Sequence, residues 1–403
     1  MEKYIFMTNY YLPFPDATGM CVHKIAKELA KKHDVTTLCY ESLDNQKNID
    51  GVNILPIRIP LFLKRNKNRN KIYLKFLYMD SLIHKFIYIK KYPLRSNKLV
   101  REYIKKTENI ISESDQTKII ASFTPLEAVI AAYKLKIKYP DKVKIIYYST
   151  DTLSNEKSDS GFLPLEYREK CGLEWERKLF KEFDKLILME CHKEHYSSDI
   201  FEEFKNKMVF VNFPFMEKQI FEVKQSKASK KIHFVYAGTL YKIIRNPKYL
   251  CDALVRLSKR NSIRVDFLGG GDCNDILEEA SVQSNQSIVF HGMQSHDVAM
   301  KYINNADVLL SIGNLNSPMV PSKIYEYMST GKPIVHIYFS ENDPCILPLK
   351  IYGNALIVHN GDKNADKKLD KFLRSIINLG YETIEEKFIT STPKYTAEII
   401  NNY

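Results

Sequence analysis

No stretch of this 403-residue chain stays apolar over the ~20 residues that a helical membrane span requires, so no transmembrane segment is expected. Residues Met1 to Pro13 lack the order of charged, apolar and small residues that marks a secretion signal. They read as a first strand, and a cytoplasmic protein is the expectation. The seven cysteines (Cys21, Cys39, Cys171, Cys191, Cys251, Cys273, Cys345) include no C-x-x-C pair and follow no regular spacing. Reduced, mostly buried thiols follow from that. Acidic residues are scarce in one place. Between Arg58 and Lys106 two acids, Asp80 and Glu102, stand against 15 lysines and arginines, while the rest of the chain has 45 basic and 46 acidic residues. That segment carries the whole formal excess of +12, and it also holds Phe62, Tyr73, Phe76, Tyr78, Phe86, Tyr88 and Tyr92. Basic residues interleaved with aromatics suit an anionic membrane surface, nucleic acid or an anionic acceptor. The plainer alternative is a solvated helical face whose aromatics are core.

What is present describes a folded α/β protein. A hydrophobic content of 44% with 12% aromatics supports packed cores, and the length allows two domains. Short β-branched runs alternate with helical apolar spacing, the pattern of parallel strands joined by crossover helices. In the first half, strands are expected at Tyr4–Thr8, Val35–Cys39, Ile119–Ser122, Val143–Tyr148, Leu186–Met189 and Val209–Val211. Val22, Ile25, Ala26, Leu29 and Ala30 share one helical face. Asn212-Phe-Pro-Phe-Met216 closes this unit, and a Lys/Ser/Gln stretch to Lys231 reads as a linker. A second series follows, with strands at Ile232–Ala237, Arg264–Leu268, Ile288–His291, Val308–Ser311 and Pro333–Ile337 and a Gly269-Gly-Gly271 turn. Two doubly wound, Rossmann-like domains are therefore predicted, 1–215 and 216–387, with a C-terminal helix at 388–403 packing back on the first. Such sheets bind ligands at the carboxyl ends of their strands, so a cleft between the domains is the predicted site.

The segment from Ser317 to Val335 is the most informative. Pro321-Ser322 marks a helix start with Ser322 as N-cap, and Gly331 with Pro333 marks its stop, giving a short helix from Lys323 to about Thr330. Lys323 then sits in the first turn, where the helix dipole disfavours a cation unless an anion joins it. Amides, dipole and ammonium together suit a phosphate. Glu326, one turn further on, is placed to accept hydrogen bonds from sugar hydroxyls beside it. The alternative is a surface Lys and Glu on an ordinary core helix.

Three pieces in order, Tyr236-Ala-Gly-Thr-Leu-Tyr-Lys-Ile-Ile-Arg-Asn-Pro-Lys-Tyr-Leu250, Val265-Asp-Phe-Leu-Gly-Gly-Gly271 and Val320-Pro-Ser-Lys-Ile-Tyr-Glu-Tyr-Met-Ser-Thr-Gly-Lys-Pro-Ile334, resemble glycosyltransferase family 4, the retaining, hexosyltransferase-type enzymes of GT-B fold. A thinner N-terminal match runs through Tyr11-Leu-Pro13 and Gly19. The resemblance implies a donor site in which Gly238 and Thr239 bring amides to the diphosphate and Arg245 (or Lys242) and Lys323 neutralise its charge. By the same likeness Glu326 holds the ribose, Gly292 and Met293 lie beside the base, and Gly19 faces the phosphates from the first domain. Gly270 and Ser322 belong to the same implied set. The family's first glutamate is missing, because Pro318 stands eight positions before Glu326. Asn314, Asn316 or Ser317 is left to contact the donor sugar. A second departure is Phe123, where some members carry a histidine. No Asp-x-Asp pair occurs, so a mechanism without metal or other cofactor is expected, with fixed cations stabilising the leaving diphosphate. Asp151 is the side-chain candidate for the acceptor hydroxyl, a turn aspartate being the alternative. Cys191-His-Lys-Glu-His195 is read as an exposed polar loop rather than a zinc site, and Glu174 as structural. The implied partners are a nucleotide-sugar donor, a surface or lipid-linked glycan acceptor and, through 58–106, the anionic inner face of the cytoplasmic membrane, with no nucleic acid. The rival readings are a nucleotide-sugar epimerase of the same fold and a non-catalytic binding partner.

Overall fold

The structure, a computed structural model, describes residues 2–13, 15–41, 47–60, 63, 71–87, 89, 92–111, 116–155, 163–218, 231–315, 321 and 323–403, without the side chains at 71–74, 76, 84, 85 and 296. The candidates Asn316, Ser317 and Ser322 and the basic run 64–70 lie outside the described residues. The chain divides into two compact units, Met1–Pro214 with Pro393–Tyr403, and Phe215–Thr392.

In the first unit the strands are β1 (Lys3–Met7), β2 (Asp34–Tyr40), β3 (Asn48–Ile49), β4 (Val52–Ile57), β5 (Thr117–Phe123), β6 (Val143–Ser149), β7 (Lys185–Met189) and β8 (Met208–Val211). They form one sheet in the order β3-β4-β2-β1-β5-β6-β7-β8, parallel throughout except for the β3–β4 hairpin. Two members, β3 and β4, were not anticipated: Pro56 breaks the apolar alternation, and a proline is tolerated toward a sheet edge where ladder bonds are fewer. β1 and β5 are buried on both faces and read as nearly unbroken apolar runs, as strands covered by helices must. Helix Ala17–Ala30 is capped by Asp16, whose carboxylate accepts from Gly19 N at 2.8 Å. It packs against the C-terminal helix Pro393–Asn401, which is tied to the sheet by Tyr4 Oη donating to Asn401 Oδ1 (3.0 Å) and Lys118 Nζ donating to Asn401 O (2.9 Å).

The second unit contains β9 (Ile232–Ala237), β10 (Ile263–Leu268), β11 (Ile288–Phe290), β12 (Val308–Ile312), β13 (Ile334–Tyr338) and β14 (Ala355–His359), in the order β11-β10-β9-β12-β13-β14 and all parallel. β14 was not anticipated either. Helix Lys248–Ser258 buries Leu250, Ala253, Leu254 and Leu257 as its spacing requires, against Phe234 and Val265 of the sheet core.

Among the described residues no helix is long and apolar enough to cross a membrane. The basic segment splits into two unlike helices. Asn97–Ile111 buries Leu99, Val100, Tyr103 and Ile111, whereas Lys71–Ile87 leaves Tyr78, Met79, Ile83, Phe86 and Ile87 between 52% and 65% exposed. The view that the segment's aromatics are core therefore fails for Tyr78 and Phe86. Five of the seven cysteines are buried and all are free. Cys191–His195 is no exposed loop: it forms the short helices Glu190–His192 and Lys193–Tyr196, with His192 buried.

Candidate functional site

Because the second sheet is parallel, the carboxyl ends of β9 to β13 share one edge, and the predicted donor residues emerge from it. The turns there are joined backbone to backbone. Gly238 N donates to Leu268 O and Gly269 N to Gly292 O, each at 2.9 Å, and Leu240 N donates to Gly270 O at 2.9 Å. Gly269 (φ +159°) and Gly271 (φ +128°) are needed for contact, since an added Cβ would fall on the carbonyl oxygens of Gly238 and Leu240. The amide of Gly238, given to phosphate by the family likeness, is here taken by Leu268. Gly292 (φ +67°) has open space on its Cβ side, and the exposed Met293 reaches its methyl group over Gly270.

The two candidate cations on the following loop differ. Arg245 is half-buried and aimed: Nε and Nη2 donate to Asn314 Oδ1 at 3.0 and 2.5 Å, and Nη1 donates to Thr239 O at 3.2 Å. Asn314, a candidate for the donor sugar, thus turns its oxygen to Arg245. Lys242 is exposed and pairs with Asp275 at 2.7 Å.

The short helix Lys323–Met328 is fixed to β9 by Tyr327, whose buried hydroxyl accepts from Ala237 N at 2.9 Å. Burial drives that phenol far above its usual range. Lys323 Nζ pairs with Glu326, so the anion that a first-turn cation calls for is supplied here by the buried Glu326 carboxylate itself. Gly331 (φ +75°) ends the turn, where any Cβ would meet Leu379 O.

Beneath these turns lie two polar clusters that the sequence did not reveal. Asp266 of β10, 0% exposed, accepts from His233 Nε2 (2.6 Å), Arg264 Nε (2.9 Å) and His291 Nε2 (2.8 Å). His233 also presents Nδ1 to Asn305 O at 3.1 Å. Burial would raise the Asp266 carboxyl, but these donors outweigh it and hold the group well below the carboxylate range. The second cluster joins His336, Ser311 and Asp343. With Cys345 it makes the set, among the described residues, whose three donor atoms lie within 4.8 Å of one another. Those atoms already have protein partners: Asp343 Oδ1 accepts from Cys345 N at 2.8 Å and Oδ2 faces His336 Nε2 at 3.3 Å, while burial pushes the Cys345 thiol far up. A thiol held protonated suits hydrogen bonding rather than ligation.

In the first unit Gly19 has a packing role, because a Cβ there would fall on Tyr10 O. Asp151 is exposed and its Oδ1 accepts from Thr152 N at 2.9 Å, the geometry of a turn aspartate. Glu174 is exposed. The carboxylate that matters two residues on is Glu176, 0% exposed, which accepts from Leu153 N (2.9 Å), Tyr196 Oη (2.8 Å) and Ser154 Oγ. Ser154 Oγ lies 2.8 Å from His195 Nε2. Burial raises the Glu176 carboxyl, against the pull of these neutral donors. A separate cavity of about 440 Å³ lies beside Arg58, Lys105 and Lys106, but Glu41 and Glu102 line it too, so it is not strongly basic.

Residues 231–367 match the sequence profile of the family described as Glycosyl transferases group 1. No curated protein sequence matches the chain. Solved structures match it end to end. The lipopolysaccharide outer core galactosyltransferase WaaB in its apo form is 14% identical with a TM-score of 0.54, over 99% of this chain and 98% of that one. WaaG, a glycosyltransferase involved in lipopolysaccharide biosynthesis, is 13% identical with a TM-score of 0.55, over 99% and 100%. A mutant of S. aureus TarM, in complex with fondaparinux, alpha-GlcNAc-glycerol and UDP, is 12% identical with a TM-score of 0.53, over 100% and 98%. The fold is GT-B. At such low identity the likeness speaks for architecture alone; the region matched by the family profile is the one that holds the candidate donor residues.

Proposed function

We propose that this chain is a glycosyltransferase that moves a hexosyl group from a nucleotide-diphosphate sugar to a growing surface or lipid-linked glycan, with retention and without a metal. The observation that carries this reading is the convergence, inside the profile-matched region, of Arg245, Gly269–Gly271, Gly292 and the Lys323–Glu326 pair on one edge of a parallel sheet. Departure of the sugar leaves negative charge on the diphosphate. A guanidinium already aimed by Asn314 and Thr239 meets that charge without reorganising, which is the condition for electrostatic stabilisation. Glu326 takes the ribose hydroxyls, Met293 lies by the base, and Asp151 contacts the acceptor hydroxyl. UDP in the TarM complex makes a uridine nucleotide the first donor class to try.

The test is a panel of nucleotide sugars read by thermal stabilisation, then turnover of wild type and Glu326→Ala with the donor that binds. Loss of the ribose bonds should weaken donor binding and lower turnover ~10²-fold in a folded variant. Undiminished activity would take Glu326 out of the site, and loss of activity in excess chelator would overturn the metal-free reading. Donor binding with no turnover on any acceptor would favour the non-catalytic partner, as the proline at position 318 does.

The acceptor side of the proposal includes docking on anionic lipid. Met79, Ile83, Phe86 and Ile87 share one face of helix Lys71–Ile87 and are exposed in the segment that carries the charge excess. Binding to vesicles should rise with anionic lipid, fade with salt and be lost in Ile83→Asp/Phe86→Asp. Equal binding to neutral and anionic vesicles, or none, would end this part of the proposal.

A further inference from the structure

The turn that carries Asn314 is supported from beneath by a buried ionisable pair. His336, near the centre of β13, is 0% exposed; its Nδ1 lies 3.0 Å from Ser311 Oγ of β12 and its Nε2 3.3 Å from Asp343 Oδ2. Asp343 follows β13 and is buried as well. Its Oδ2 occupies the place where a Cβ on Gly313 would stand, so the carboxylate rests directly against the Gly313 backbone. Gly313 N donates to Ile337 O at 2.8 Å, and two residues on Leu315 N donates to Ile244 O at 2.8 Å. Between those anchors sits Asn314, whose Oδ1 receives both Arg245 donors. One carboxylate therefore touches β13, the turn after β12 and the start of helix Ile346–Tyr352.

Apolar residues would pack these strands without the desolvation that a buried His–Asp pair incurs. The pair does something that packing alone would not. It fixes one turn in one orientation, and Gly313 leaves room for no other group between carboxylate and backbone. Burial favours the neutral acid at Asp343, but the His336 contact and the Cys345 amide prevail and keep its carboxyl below the ordinary range. An anion thus persists there to hold His336 and the turn.

We propose that Asp343, itself held by His336, is a positioning residue that aims Arg245 at the leaving diphosphate through the Gly313–Asn314 turn. The proposal rests on the role given above to Arg245, and the experiment separates the two. UDP and UMP differ by the β-phosphate, the group Arg245 would meet, so the ratio of their affinities reads the aim of the guanidinium. GDP with GMP and ADP with AMP are run beside them, because the base is open. Arg245→Ala should lower diphosphate affinity ~10-fold and leave the monophosphate unchanged. Asp343→Asn should do the same several-fold, and the double variant should be no worse than Arg245→Ala. Thermal melts control for folding. If Asp343→Asn does not fold, Ser311→Ala removes only the Nδ1 partner of His336 and should give a smaller shift in the same direction.

Equal loss of both nucleotides in a folded Asp343→Asn would mean general loosening, and full additivity with Arg245→Ala would mean independent action. Either overturns the positioning role while leaving that of Arg245. An unchanged diphosphate-to-monophosphate ratio in Arg245→Ala, or a wild type that distinguishes no diphosphate from its monophosphate, overturns both.

Discussion

Each unit has a carboxylate that is 0% exposed, Asp266 in the second and Glu176 in the first, and the two are held by different kinds of partner. In the second unit Asp266 is surrounded by Arg264, His233 and His291. In the first, Glu176 meets an amide, a phenol and a serine hydroxyl. Both are 0% exposed, so desolvation pushes both carboxyls upward. The two imidazole hydrogen bonds and the Arg264 guanidinium reverse that push at Asp266, and an amide, a phenol and a hydroxyl leave it standing at Glu176. Asp266 is thereby a fixed anion bracing the His291–Gly292 turn against β10, while Glu176 holds Leu153 and Ser154 as a group whose charge is disfavoured.

The sharpest way to break this contrast is Asp266→Ala. It leaves the His233 and His291 rings and a guanidinium without their anion, and breaking a buried pair in this way costs about 3–5 kcal/mol. Arg264 is half-exposed and can turn to water, which argues for the lower end. The sign with pH is fixed by the depressed folded value. This stability is present above the unfolded aspartate value near ~4 and is lost as pH falls from there through the folded pKa. Urea unfolding at pH 7 and pH 3 would therefore show the variant far below wild type at pH 7 and closer to it at pH 3. A loss that does not shrink in acid would mean that Asp266 contributes shape and not charge.

Glu176→Gln should act less strongly and with the reverse pH trend. A raised folded pKa means that the native state binds the extra proton. The contribution of Glu176 is full below its unfolded value near ~4.3 and is lost as pH rises through the folded one. Glutamine keeps the shape and cannot ionise, so the variant should gain on wild type as pH rises above the unfolded value. A constant difference across that range would mean that Glu176 titrates alike in both states, and the contrast with Asp266 would collapse.

Neither carboxylate was legible in the sequence, and the reason is physical. Asp266 is one polar residue in an apolar strand, and its partners His233 and His291 stand 33 and 25 residues away, on β9 and just after β11. Glu176 sits on a helix two residues from Glu174, and only the fold shows which of them turns inward, with partners 20 to 23 residues distant. The His336–Asp343–Gly313 support was hidden by the same lack of local signal. By contrast the strand-end glycines and the short helix ending at Gly331 are local devices: a positive φ or a close approach forces a residue type, and the type is visible. The strands β1, β5, β6, β9, β10 and β12 were visible for a like reason, as apolar runs of strand length. β3, β4 and β14 were missed where a proline or a short, half-buried run weakened that signal. Arg245 lay between the two kinds: its type was legible, but its choice over Lys242 depended on Asn314, 69 residues on.

The finest probe of the comparison is Ser154→Ala. Ser154 Oγ stands between the Glu176 carboxylate and His195 Nε2. Removing the hydroxyl leaves Glu176 with Leu153 N, Tyr196 Oη and the Ser154 backbone amide. The charged form then loses one of its donors, so the folded pKa should climb further from its ordinary value. The neutral form loses little, because the side chain of Ser154 is only half-buried and water can replace the bond to His195. The net cost should be about 1 kcal/mol or less, larger at pH 8 than at pH 5. The midpoint of the pH-dependent stability change, followed by urea unfolding, should move upward relative to wild type. A midpoint that stays in place would show that the Ser154 hydroxyl does not share in holding the charge, and that Glu176 is governed by burial and its remaining donors.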